Sequence, residues 1–71
     1  MQLKSNETLR VFILHWNRPE ECARTVGCFT REVQPSAITV IDNNSTRENI
    51  EKLKGKLPEG VVILALEKNL G

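Results

Sequence analysis

The sequence predicts an α/β domain, a three-layer βαβαβ unit in which helices cover a sheet of parallel strands. Apolar, strand-like runs alternate with helix-like segments along the whole chain. Each strand-like run gives way to a polar group: His15-Trp16-Asn17, then Asp42 to Ser45, then Glu67 to Gly71. No internal repeat or low-complexity stretch interrupts the alternation.

Leu9 to Leu14 is the first strand, rich in branched and aromatic residues and ending in a continuous apolar run. Such a run suits a strand covered on both faces. Arg18-Pro19 stops it and starts a helix, because proline fits the first turn, where its missing N–H costs nothing. Glu20 and Glu21 suit the positive end of the helix dipole. Cys22, Val26, Phe29 and Val33 recur at steps of four, three and four, one stripe on a helix from about Pro19 to Glu32. Gly27 interrupts it at a cost of about 1 kcal/mol against alanine, which close packing on the sheet would explain. Ala37 to Ile41 is the second strand. Ser45 and Glu48 have the spacing of a capping box, so the second helix begins near Thr46. Ile50, Leu53 and Leu57 form its buried stripe, while Glu51, Lys52, Lys54 and Lys56 face water. Leu57-Pro58-Glu59-Gly60 turns the chain into a third buried strand, Val61 to Leu66.

Seventy-one residues make one small domain, residues 1–71, with 1–8 read as a flexible or edge segment. Hydrophobic residues at 39% and charged residues at 27% are the proportions of a chain with a core, not of a disordered one. A net charge of +1 gives no footprint for nucleic acid or an acidic membrane surface. The longest apolar run, Val61 to Leu66, is six residues against the roughly 20 that cross a bilayer. The first residues, Met1 to Glu7, show no secretory leader pattern, and the expected location is the cytoplasm. Cys22 and Cys28 match no zinc spacing and read as reduced, small apolar residues.

Parallel strands joined by crossover helices bring the three polar groups to one edge of the sheet, where open α/β sheets bind ligands. Orphan N–H groups at each helix start would attract an anion, but Asp42 is itself an anion there. Its carboxylate suits a hydrogen-bond donor better than a phosphate. Local chemistry also allows plainer roles. Asp42 to Ser45 can be a turn with a helix cap, Asn17 a turn or cap residue, His15 a partly exposed strand end, and Trp16 a packing aromatic. The chain has no Gly-rich phosphate loop, no His-Cys metal cluster and no visible nucleophile-base pair.

In order along the chain, His15-Trp16-Asn17-Arg18-Pro19-Glu20, Ile41-Asp42-Asn43-Asn44-Ser45-Thr46 and Asn69-Leu70-Gly71 resemble the opening of a family 2 glycosyltransferase. Members of this inverting family, of the Rossmann-like GT-A fold, carry Thr-Tyr-Asn-Arg, then Val-Asp-Asn-Gly-Ser or Val-Asp-Asp-Gly-Ser, then Asn-x-Gly at the same strand ends. Here His15-Trp16 stands for Thr-Tyr and Asn44 for the glycine, a position that asparagine tolerates well. The resemblance implies that Asp42, followed by Asn43, receives a hydrogen bond from the uracil or other base of a nucleotide-diphosphate sugar. It makes Trp16 and Asn17 walls of the nucleoside pocket and puts Asn69 and Gly71 beneath the ribose.

The family's Asp-x-Asp metal motif, which binds Mg or Mn, and its catalytic base lie beyond the segment that these 71 residues match. No catalytic and no metal-binding residue is therefore assigned. The expectation is the nucleotide-sugar-binding front portion of a glycosyltransferase, inactive alone, with a C-terminal portion or a second copy covering the open sheet edge. The alternative is a non-catalytic nucleotide-binding or oligomerising α/β module. A receiver-like or flavodoxin-like domain is disfavoured, because receivers carry acidic residues where His15-Trp16-Asn17 stands here.

Overall fold

The computed structural model describes residues 9–67. Within them the chain forms β1 (Val11–His15), α1 (Pro19–Phe29), a short 3₁₀ turn (Pro35–Ala37), β2 (Ile38–Asp42), α2 (Arg47–Lys56) and β3 (Val62–Ala65). All pairings are parallel and the strands lie in the order β1-β2-β3. The α/β class, the three strands and the two helices therefore agree with the sequence reading. The N-terminal segment 1–8 and the last four residues lie outside the described residues.

Strand order decides how the layers stack. Each right-handed crossover here steps in the same direction across the sheet, so both helices land on one face. Their contact with each other is direct. The register pairs Val11 with Ile38, Ile13 with Val40 and His15 with Asp42, placing these side chains on the helix side. Ile13, Ile38 and Val40 pack there with Cys22 and Val26 of α1 and Leu53 of α2 as a single core. Val11, Ala23, Val33, Leu57, Val61 and Ile63 close around it.

The unit is thus two-layered, not three-layered. On the opposite face Phe12, Leu14, Val62 and Leu64 are 64%, 69%, 50% and 54% exposed, and no described element covers them. By sequence the apolar run of β1 and the third strand suit burial on both sides; in the structure β1 is buried only on the helix side, at Ile13 and His15, and β3 has no buried residue, its helix-side Ile63 being half-buried. Alternate residues of these strands are apolar on both faces, so composition alone does not distinguish one covered face from two.

Three further details differ. Helix α1 ends at Phe29, three residues early, with the Thr30 N–H bonding the Val26 carbonyl. Cys22 is buried as a small apolar residue, but Cys28 is exposed. Gly27 has nothing within 4 Å of where a Cβ would lie, so close packing does not explain it. The same holds for Gly55 in α2. Gly27→Ala and Gly55→Ala are each expected to raise stability by about 0.4–1 kcal/mol, read as a shift of the urea midpoint at unchanged slope. Gly60 is different. Its φ of +106° and the Pro35 Cβ at 3.3 Å make that turn a glycine position.

Candidate functional site

The carboxyl ends of β1 and β2 carry the densest polar chemistry among the described residues. His15 and Asp42 are the last residues of their strands and face each other in register. His15 Nδ1 lies 2.8 Å from Asp42 Oδ1, and neither side chain has any exposed surface. The Ser45 N–H donates to Asp42 Oδ2 at 3.0 Å, closing the turn after β2 on the aspartate that begins it. The Arg18 N–H donates to His15 Nε2 at 3.1 Å. Both ring nitrogens and both carboxylate oxygens are engaged.

Asn17 ties the two loops together. Its N–H donates to Ser45 Oγ at 2.7 Å, and its Oδ1 accepts from the Thr46 N–H and the Asn49 Nδ2, each at 2.9 Å. It does so from a left-handed backbone, φ 54°, and Asn44 at φ 65° makes the matching bend in the second loop. Asparagine is among the few residues that adopt this conformation readily. The strand pairing also continues into the loops, through Asn43 N–H to the His15 carbonyl at 2.9 Å and Leu66 N–H to the Asp42 carbonyl at 2.8 Å.

The cap of α2 lies one residue later than the spacing suggests. Thr46 is the N-cap, and its side chain accepts from the Asn49 N–H. Ser45, read as the capping residue, is buried and its hydroxyl serves Asn17 instead. The capping-box pairing of Ser45 with Glu48 is therefore replaced by Thr46 with Asn49.

Burial pushes the Asp42 carboxyl up, but hydrogen bonds from the Ser45 hydroxyl, the Ser45 N–H and His15, with the His15 charge, outweigh it. Its pKa is lowered from the ordinary 3.8. The neighbouring Cys22 thiol is pushed up, first by burial and then by the Asp42 charge, which favours the inert thiol over the thiolate.

Serine, histidine and aspartate meet here without forming a nucleophilic relay. In such a relay the acid and the nucleophile bond opposite ring nitrogens. Here Asp42 and the Ser45 hydroxyl, at 3.4 Å, both lie on Nδ1, and a backbone N–H occupies Nε2. The cluster is built to hold two loops in place.

The sequence-assigned residues separate by accessibility. Trp16 is 55% exposed at the end of β1. Asn17 is half-buried and Asn43 buried. Asp42 is fully buried, so as placed it presents no surface to a base. Asn69 and Gly71 lie outside the described residues. His15, read as a partly exposed strand end, is the buried centre of the cluster; its parity with Val11 and Ile13 was the available signal, masked because β1 is apolar on both faces. Among the described residues no group of three His, Cys, Asp or Glu side chains converges to hold a metal ion. No described helix is long and apolar enough to cross a membrane. Comparison with known proteins finds no matching family model, no matching curated protein and no matching solved structure.

Proposed function

We propose that the carboxyl edge of β1 and β2 is the nucleoside side of a nucleotide-sugar site, the front portion of an inverting glycosyltransferase. The observation that supports this reading is the joining of the two loops there by His15, Asn17, Asp42 and Ser45, with Trp16 half-exposed beside them. Ligands of open α/β sheets bind at this edge. Trp16 offers the exposed aromatic face for a base, and the Asn17 loop forms the adjoining wall. Asp42 holds both loops in shape; direct contact with a base ring N–H requires the Ser45 N–H to leave Oδ2. The described residues supply no ligand set for the family's divalent metal, so no transfer step is derived.

Calorimetry with uridine diphosphate and its sugar conjugates tests this reading. Binding is expected, and Trp16→Ala should weaken it by about 5- to 150-fold, the range of 1–3 kcal/mol for a lost base-stacking partner. Trp16 is exposed, so the variant keeps its fold by circular dichroism. Absence of binding by any of these ligands, or binding indifferent to Trp16→Ala, would reject the site.

A second reading, an oligomerising α/β module, is favoured by the uncovered apolar sheet face. Sedimentation then shows association that rises with concentration. The double substitution Phe12→Thr with Leu14→Thr is expected to abolish it at a stability cost of about 1 kcal/mol or less, since both side chains are mostly exposed.

A further inference from the structure

We propose that His15 is a pH-operated latch on the segment that leads from β1 into α1. Its two ring nitrogens have opposite roles fixed by their partners. A carboxylate only accepts, so Nδ1 carries the proton toward Asp42; a backbone N–H only donates, so Nε2 presents its lone pair to Arg18. The ring is neutral in this arrangement.

Arg18 is the N-cap residue of α1 and no side-chain oxygen caps that helix. The imidazole therefore pins the N–H of the residue at which the helix begins. The next bond in line, from the Cys22 N–H to the Arg18 carbonyl at 3.0 Å, is the first of the helix. A second proton on Nε2 sets a donor against a donor across 3.1 Å and places a cation at the positive end of the helix dipole. The Nδ1 side keeps its carboxylate, which acid down to about pH 5 leaves ionised because its pKa is already lowered from 3.8. The ring thus stays anchored to β2 while its hold on Arg18 is lost.

The groups around the ring act in different directions. Asp42 from β2 faces Nδ1. Glu21 and Cys22 of α1 and Arg18 of the loop line the same groove, of about 170 Å³, with His15 and Trp16. Arg18 and Glu21 form an exposed ion pair at 3.5 Å, and Cys22 is held as the thiol. The groove gives water access to the Nε2 side once the Arg18 N–H has turned away. The movement is centred on the Arg18 amide, because Asn17 stays bonded to Ser45, Thr46 and Asn49.

Nitrogen-15 spectra of the whole chain from about pH 8 to about pH 5 test the latch. At the upper end the ring should report the Nδ1–H tautomer. As pH falls, the ring and the Arg18 amide should shift with one midpoint, and Arg18 exchange protection should drop by about tenfold or more. The Asn43 amide, bonded to the His15 carbonyl, should stay protected. His15→Leu should erase the Arg18 transition; should that variant not fold, the tautomer and the shared midpoint in the parent chain decide. An Nε2–H tautomer at the upper end, an Arg18 amide that stays flat while the ring titrates, or a ring that never titrates before unfolding overturns the proposal.

Discussion

Asp42→Ala is expected to destabilise the fold by about 2–6 kcal/mol, because it orphans two buried N–H donors at once, each worth about 1–3 kcal/mol. These are the His15 Nδ1–H and the Ser45 N–H. A domain of this size seldom holds more than about 3–5 kcal/mol, so much of the variant should be unfolded at room temperature. Urea titration followed by circular dichroism measures the loss, and a change below about 1 kcal/mol would show that water replaces the carboxylate without difficulty. Asp42→Asn keeps the shape and one acceptor and should lose less. The same carboxylate sets an acid limit. Its folded pKa lies below its unfolded value, so its contribution is complete above about pH 4. It is lost as pH falls past the ordinary 3.8 and through the lower folded value. Asp42→Asn should remove that part of the acid transition, leaving a flatter profile below about pH 4.

Asn17 should show the second-largest effect, and three substitutions separate its backbone role from its side-chain role. Asn17→Gly keeps the left-handed φ of 54° but loses the acceptor for Thr46 and Asn49, costing about 1–2 kcal/mol. Asn17→Val loses the acceptor and pays about 1–2 kcal/mol more for the left-handed backbone. Asn17→Asp retains an acceptor oxygen and tolerates the conformation, and its charge sits beside the start of α2, so it should be nearly neutral. Equal losses for glycine and valine would mean that the backbone conformation carries no cost. A large loss for aspartate would mean that the amide N–H₂ of Asn17 matters more than its oxygen.

Much of the fold is legible in the chain. Pro19 with its following glutamates starts α1, the Pro35 turn ends the segment after it, and Gly60 turns the chain into β3, all near the places that local chemistry indicates. The polar residues after β1 and β2 do meet at one edge. The details that escaped are those in which several groups compete for one partner. Ser45 has the spacing of a cap, yet a 2.7 Å bond from Asn17, 28 positions away, claims its hydroxyl and moves the cap to Thr46. His15 looks like a strand-end residue until its register opposite Asp42 is known.

The sequence by itself determined the order and kind of the elements, the single polar edge and the two asparagines able to bend the loops. Those properties rest on side-chain size, turn chemistry and chain connectivity, which act over a few residues. Only the tertiary structure decided which strand is central and which face is covered. With the order β1-β2-β3, right-handed crossovers send both helices to the same side, whereas a β2-β1-β3 order would have put them on opposite sides. That choice depends on long-range packing of one apolar strand face against another. Phe12, Leu14, Val62 and Leu64 are as apolar as the residues beneath the helices, so no local pattern records which set is buried.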